Sequence, residues 1–307
     1  RQHDVIHTHL LKADAVGALL ALGLGLRSKL IASKHNDERA LLNPWVARVH
    51  GVLGNLPQRT IVLSDHVGRF VAEHGRVDPR RIVRVYYGLD TTAFEAAQAQ
   101  RQVHRTRVRT ELGAAADDFV YICIARFAAQ KAHDVLLRAF ADAHAREPRL
   151  RLWLAGDDPF GDGRQRAERL ANELQLGSAV RFLGIRRDIP QLLCAADAFT
   201  MASLWEGLGL VFLESMTMGL PVVSTTVSAI PEVVQHGRMG LLVPPADAEA
   251  LAGALVAVAH DEGLRASAAQ AGPLWVRERF SIDRMVEETL AVYSQAIGIH
   301  FDGRRDR

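Results

Sequence analysis

Short, largely apolar runs that favour β-strands alternate with helical patterns from one end of the chain to the other. Each run predicts a β-strand. Four lie in the first half, at residues 5–8, 30–33, 60–64 and 82–86, and six lie in the second half, at residues 119–125, 150–155, 180–183, 198–201, 222–225 and 240–243. Strands that alternate with helices are typical of parallel sheets covered by helices, so we expect an α/β fold.

A polar segment separates the two groups of strands. Residues 98–109 are rich in Arg and Gln and have no apolar period, which predicts a linker that runs into a helix. A chain of 307 residues with 49% hydrophobic content is long enough to form two cores. We therefore predict one domain at residues 1–105, a doubly wound domain at 106–275, and a terminal segment at 276–307 that contains a helix at 282–297.

The apolar content is not concentrated in a targeting or membrane-spanning segment. The first nine residues lack the apolar core of a signal peptide, and the run at 13–26 is short and carries Asp14, which predicts a buried helix. Cys123 and Cys194 both lie in apolar runs, where buried and reduced thiols are expected. These features predict a soluble, cytoplasmic protein.

The charge is unevenly distributed. Residues 1–110 contain 17 Lys/Arg and 9 Asp/Glu, a balance of +8, although the whole chain carries only +2. This asymmetry predicts peripheral contact of the first half with the inner surface of a membrane or with another anionic partner, and a solvated basic face is the alternative. Aromatic residues are not interleaved with the basic ones, so a nucleic-acid partner is not expected.

The most informative local pattern is residues 203–216, which follow a predicted strand, turn on Gly207 and Gly209, and enter a helix. Glycine lets the backbone approach a ligand, and the free N–H groups at a helix start favour an anion such as a diphosphate. Glu206 in the loop and Glu214 in the helix would accept hydrogen bonds from hydroxyl groups at two ends of one ligand, such as a sugar and a ribose. An ordinary strand–turn–helix with solvated acids is the alternative.

Two cations follow the first strand of the second group. Arg126 and Lys131 lie five residues apart in the loop after residues 119–125. Ligands of doubly wound sheets bind at the carboxyl ends of the strands, where such a pair would hold a pyrophosphate and offset the charge on a leaving diphosphate. Ordinary surface charge is the alternative.

These motifs together resemble the family 4 glycosyltransferases of the GT-B architecture, in which two Rossmann-like doubly wound parallel-sheet domains face each other across a cleft. The resemblance covers nearly the whole sequence and is densest at residues 181–244. It implies that the helix in the terminal segment, residues 276–307, crosses back to the first domain. It is carried by Arg126, Lys131, Gly156-Asp157, the Glu206/Glu214 pair, and the segments 219–223, 230–234 and 240–243.

The resemblance implies a role for each site residue. Arg126 and Lys131 would hold the donor diphosphate, Glu206 the hydroxyls of the donor sugar, and Glu214 the ribose. The backbone that would line the sugar and phosphates belongs to Gly207, Leu208 and Gly209. The residues with an implied catalytic role are Arg126, Lys131, Glu206 and His35.

The resemblance also implies an activity. The protein would be a hexosyltransferase that moves a sugar from a UDP- or GDP-sugar to a hydroxyl of an acceptor glycan or lipid-linked sugar, with retention, in polysaccharide, lipopolysaccharide or glycolipid synthesis. No metal or cofactor is implied, and the sequence contains no Asp-x-Asp and no His/Cys ligand cluster. A non-catalytic nucleotide-sugar-binding module and a sugar-nucleotide epimerase of the same fold are the alternatives.

The first half matches the family less completely. Residues 7–9 resemble a strand of the family that ends in an Asp-x-x-His segment, and residues 33–35 resemble the strand that ends in a histidine facing the cleft. His35 and His9 are therefore candidates. The Gly-rich turn that usually opens the first domain has no counterpart, so we expect this domain to be incomplete. The sequence departs from the usual residues at three places: Tyr87 replaces Asn, Ala132 replaces Gly, and Ser228-Ala229 replace two glycines.

Overall fold

The computed structural model describes residues 4–26, 29–159 and 161–298, which form two compact units. The first unit runs to Gly88 and resumes at Arg279, and the second comprises Leu89–Glu278. These boundaries differ from the predicted ones, which lie at residues 105 and 275.

The first unit is built on a sheet of four parallel strands in the order β1-β2-β3-β4. Side-chain caps define two of its helix starts, because Asn43 accepts from the Trp45 amide at 3.0 Å and Ser64 accepts from the Val67 amide at 3.1 Å. Its elements are β1 (Ile6–His9), α1 (Leu11–Gly23), β2 (Leu30–Lys34), α2 (Pro44–Leu53), β3 (Arg59–Val62), α3 (Asp65–Glu73) and β4 (Ile82–Arg84), with α13 (Ile282–Ile297) from the end of the chain.

The helix α1 forms, but the prediction that it is buried is wrong. Its buried residues are two alanines, Ala18 and Ala21, and Asp14, which forms an ion pair with Lys34. Its large side chains point outward, and Leu19 and Leu20 are 58% and 59% exposed. The run at 13–26 is apolar all round, so its composition does not specify which side faces the sheet, and the small alanines are the residues that allow close approach.

The terminal helix α13 packs against the sheet of the first unit. Val292 is buried in a cluster with Ile31, Ile61 and Val85. At its start, the chain passes so close to Gly88 that a Cβ there would lie 2.5 Å from the Cα of Ile282. Residues distant in sequence therefore complete this core.

The second unit contains a six-stranded parallel sheet in the order β10-β9-β8-β5-β6-β7. Its strands agree with the predicted runs to within one residue at each end. Its elements are α4 (Thr92–Gln98), α5 (Arg101–Leu112), β5 (Phe119–Ile124), α6 (His133–Arg146), β6 (Leu150–Ala155), α7 (Gly163–Glu173), β7 (Val180–Gly184), α8 (Ile189–Ala195), β8 (Ala198–Met201), α9 (Leu210–Thr217), β9 (Val222–Thr225), α10 (Ile230–Val233), β10 (Gly240–Val243) and α11 (Ala248–His260); α12 (Glu262–Arg279) follows.

The predicted linker at residues 98–109 is wrong, because most of it belongs to α5. Arginine side chains, rather than a continuous apolar face, hold this helix in place. Arg105 donates to Asp197 at 2.7 Å, and Arg109 donates to Asp197 and, at 3.1 Å, to the carbonyl of Ala195. Charged anchors of this kind leave no hydrophobic period in the sequence.

The two cysteines, Cys123 and Cys194, are free and buried, as predicted. Among the described residues, no helix combines the length and the apolar character needed to cross a membrane.

Candidate functional site

The sheet of the second unit reverses its strand order next to β5. From β5 the chain adds β6 and β7 on one side, and it then crosses to place β8 on the other side. Loops that leave the carboxyl ends of β5 and β8 therefore diverge, and in doubly wound sheets this opening is where ligands bind. The predicted donor-site segments are these two loops.

An ion pair joins the two loops. The ammonium of Lys131 contacts Oε1 of Glu206, which also accepts from the Ser203 hydroxyl at 2.7 Å. Glu206 is 5% exposed and the Lys131 side chain 12%, so both charges are largely removed from water. Gln130 strengthens the connection, because its side chain donates to the carbonyl of Trp205 at 2.7 Å.

Arg126 is exposed on a loop that close backbone packing holds in place. A Cβ on Gly156 would lie 1.9 Å from the carbonyl oxygen of Ala125, and one on Gly163 would lie 2.2 Å from that of Phe127. Neither position has room for a side chain. Within the described ranges the Arg126 guanidinium has no protein acceptor, so its donors point to solvent.

The start of α9 is open to a ligand. Gly209 precedes it with a φ of +80°, and a Cβ there would lie 2.6 Å from the Phe212 ring. Both features require glycine at this position. No side chain caps this helix start, so the first amides, at Leu210 and Val211, are available to an anion.

Glu214 lies on α9, one turn beyond this start, and is half-buried. Burial raises the pKa of its carboxyl group above the usual value. No donor contacts this carboxylate in the part of the chain that the structure describes. A ligand that supplies a hydrogen-bond donor would therefore stabilise this carboxylate.

Ala132 stands where the family usually has glycine, and it holds a left-handed conformation, with φ +44° and ψ +51°. An L-residue in this region costs about 1–2 kcal/mol. Glycine avoids this cost, but part of the gain is lost because glycine gives up more conformational entropy on folding. We expect Ala132→Gly to raise the free energy of unfolding by about 0.5–1 kcal/mol, measured by urea denaturation. Ala141→Gly, inside α6, is the matched control and should lower it by about the same amount; a lower stability for Ala132→Gly would contradict this explanation.

In the first unit, His35 lies in a cluster of aromatic side chains at the carboxyl ends of β1 and β2. Its Nε2 is 2.9 Å from Nδ1 of His9, and its Nδ1 contacts the hydroxyl of Tyr87. His7 lies between Ser33 and Tyr293, 2.6 Å from each hydroxyl. The cluster borders a cavity of about 260 Å³.

Burial keeps His7 and His35 uncharged. Desolvation, followed by the neighbouring histidines, lowers the pKa of His7 to about 4 and lowers that of His35 below its usual value. Both imidazoles are therefore neutral at physiological pH, and each provides one donor and one acceptor.

The structure brings most of the predicted site residues together within the second unit. Arg126, Lys131, Glu206, Glu214 and the 207–209 turn all lie on the loops after β5 and β8 or on α9. His35 and His9 belong to the first unit. The described residues contain no group of three or more His, Cys, Asp or Glu side chains arranged to hold a metal ion.

Sequence reasoning missed the supporting residues Ser203, Gln130, Gly163 and Tyr293. Ser203 carries a weak signal, since it precedes Glu206 by three residues in the same motif. The contacts of Gln130 and Tyr293 join residues 75 and 286 positions apart, and no local pattern predicts them.

Comparison with known proteins agrees with the motifs. The model described as Glycosyltransferase Family 4 matches residues 1–93, and the one described as Glycosyl transferases group 1 matches residues 118–261. The chain is 34% identical to the D-inositol 3-phosphate glycosyltransferase of Salinispora arenicola, with 97% of this chain and 70% of that protein covered. It is 35% identical to the lipopolysaccharide core biosynthesis glycosyltransferase LpsE of Rhizobium meliloti, over 59% of this chain and 52% of LpsE.

The fold also matches solved structures. The crystal structure of Anabaena HepE in complex with UDP and glucose has a TM-score of 0.85 and 25% identity, covering 95% of this chain and 78% of HepE. The two parallel α/β units thus have the GT-B fold. With the family models and the Salinispora relative, this establishes that the chain belongs to the family 4 glycosyltransferases.

Proposed function

We propose that this glycosyltransferase takes its sugar from a nucleoside diphosphate sugar, binds that donor at the switch point of the second unit, and transfers the sugar with retention and without a metal ion. The observation that carries the proposal is the Lys131–Glu206 ion pair, which joins the loops after β5 and β8 beside the uncapped start of α9. One cation, one carboxylate and free amides thus lie in one small region.

The charges in this region suit a diphosphate. Lys131 has three N–H donors, so it can keep its bond to Glu206 and still donate to a phosphate oxygen. Arg126, which is exposed, adds a second fixed cation, and the amides at Leu210 and Val211 add neutral donors. These groups supply the stabilisation of the leaving diphosphate that a metal ion provides in other phosphate sites.

The carboxylates suit the groups on either side of a diphosphate. Glu206 uses Oε1 for Lys131 and Ser203, which leaves Oε2 to accept from a sugar hydroxyl. Glu214, whose carboxylate has no protein donor within the described chain, accepts from the ribose. Gly207, Leu208 and Gly209 line the sugar and phosphates with backbone alone.

The reaction needs no enzymic nucleophile. The bond between the anomeric carbon and the phosphate oxygen breaks, and the acceptor hydroxyl forms the new bond on the same face. Its proton passes to the departing diphosphate. We propose UDP as the nucleotide, since HepE, a similar solved structure, is described in complexes with UDP and UDP-glucose.

The acceptor is proposed to be a glycan or a lipid-linked sugar of an envelope polysaccharide, as the similarity to LpsE suggests. The first unit supports contact with an anionic membrane surface, because the charged side chains exposed between residues 10 and 53 in the described chain are all cationic: Lys12, Arg39 and Arg48. Binding to phosphatidylglycerol vesicles should fall steeply as salt rises from 50 to about 500 mM. Binding independent of salt would contradict this part of the proposal.

Turnover of UDP-glucose followed by ¹H NMR tests the reaction. We expect UDP release, an α-configured product from the α-configured donor, and unchanged rates in EDTA. A β-configured product or a rate abolished by EDTA would contradict the proposed reaction. Tight UDP binding with neither transfer nor hydrolysis would instead favour a binding module, and interconversion of the sugar epimers would favour an epimerase.

A further inference from the structure

Three aromatic rings in the first unit form a continuous hydrogen-bonded row. The planes of His9 and His35 differ by 16°, with centroids 5.1 Å apart, and those of His35 and Tyr87 differ by 13°. With the facing nitrogens 2.9 Å apart, these values describe imidazoles that meet edge to edge. Lone pairs of imidazole nitrogens lie in the ring plane, so the geometry suits proton donation along the row.

The chemistry of the row assigns its protons. Burial raises the pKa of Tyr87, so its hydroxyl keeps its proton, and that hydroxyl contacts no acceptor other than Nδ1 of His35 in the described chain. If Tyr87 donates to Nδ1, His35 must carry its proton on Nε2 and donate it to Nδ1 of His9. The opposite arrangement would leave the Tyr87 hydroxyl proton without a protein acceptor among the described residues.

We propose that Tyr87 is a positioning residue that fixes the tautomer of His35 and, through it, directs the Nε2–H donor of His9 to a ligand bound in the cavity that these side chains border. His35 then has both ring nitrogens occupied by protein, and His9, which is exposed, is the histidine that presents a free donor. This inference rests on the proposed function only for the identity of the ligand. It gives His9 the contact with the ligand, whereas the resemblance implies a catalytic role for His35.

The position of Tyr87 is fixed by its neighbour. Gly88 packs on the backbone of Ser281 and Ile282 without room for a Cβ, which holds the end of the β4 segment against α13. The other titratable or charged groups around the row are His7 on β1, Lys34 on β2, Asp14 on α1 and Tyr293 on α13. Tyr293 contacts His7 and is outside the row.

Nitrogen NMR of the ligand-free, ¹⁵N-histidine-labelled protein tests the proposal directly, since it reports which imidazole nitrogen carries the proton. Signals are assigned with His35→Gln and His9→Gln. In the unmodified protein we expect the proton of His35 on Nε2 and that of His9 on Nε2. A proton on Nδ1 of His35 in the unmodified protein would by itself overturn the proposal.

Tyr87→Phe should lower the ratio of the Nε2–H to the Nδ1–H tautomer of His35 about fivefold, the effect of one lost hydrogen bond. Tyr293→Phe is the matched control, because it removes a hydroxyl from the same cavity and should leave the His35 ratio unchanged. An unchanged ratio in Tyr87→Phe would also overturn the proposal. The measurement requires no substrate, so failure of the proposed sugar transfer would be seen separately, as absent turnover with the tautomers as expected.

Discussion

Replacing Lys131 by alanine is expected to slow sugar transfer by at least about 100-fold. Lys131 is the cation that joins the two donor-site loops, and its loss removes both a donor to the leaving diphosphate and the partner of Glu206. Glu206 is 5% exposed, so its charge would remain in a poorly solvated position. Steady-state kinetics with UDP-glucose measure the effect as a fall in kcat/KM.

The matched control for Lys131→Ala is Arg138→Ala on α6. Arg138 is exposed and lies in the helix that follows the Lys131 loop, so both variants lose one positive charge from neighbouring segments. If Lys131 acted only by long-range attraction of the anionic donor, the two variants would be slowed by similar factors. Equal rates for Lys131→Ala and the unmodified protein would remove Lys131 from the mechanism.

Replacing Lys34 by methionine is expected to lower the free energy of unfolding of the first unit by about 3–5 kcal/mol. Lys34 is 2% exposed and lies 2.6 Å from Asp14, 3.4 Å from Glu38 and 3.0 Å from His50. Methionine fills similar volume but leaves two buried carboxylates without their cation. Burial already raises the pKa of Glu38 despite the neighbouring ammonium.

Hydrogen exchange of the β2 amides in urea reports the stability of the first unit separately from the second. Lys12→Met, at an exposed position of α1, is the control and should change stability by no more than about 0.5 kcal/mol. Adding Asp14→Leu and Glu38→Met to Lys34→Met should recover much of the loss, since apolar groups often replace a buried ionic cluster at little cost. Unchanged β2 exchange in Lys34→Met would show that the cluster contributes no stability.

The strands and the donor-site loops could be predicted because their signals are local. The predicted strands at 222–225 and 240–243 coincide with β9 and β10, and the glycines and acids at 203–216 lie on the loop and helix that the pattern implied. A strand carries its period in its own sequence, and parallel strands bring their carboxyl ends to one edge.

Features that depend on distant partners could not be predicted in this way. The helix α5 is anchored by Arg105 and Arg109 to Asp197, about 90 positions away, so its sequence resembles a polar linker. The row from Tyr87 to His9 likewise depends on a hydroxyl that reaches His35 across 52 positions. The sequence alone does not show which histidine has both ring nitrogens in hydrogen bonds with other side chains.

A crystal structure with bound UDP is the most direct test of the central claim, that the switch point of the second unit holds the donor diphosphate. We predict phosphate oxygens within about 3 Å of the Lys131 ammonium, the Arg126 guanidinium and the amides at the start of α9, with the ribose hydroxyls on Glu214. A diphosphate bound elsewhere, with Lys131 and Glu214 facing only solvent, would contradict the claim.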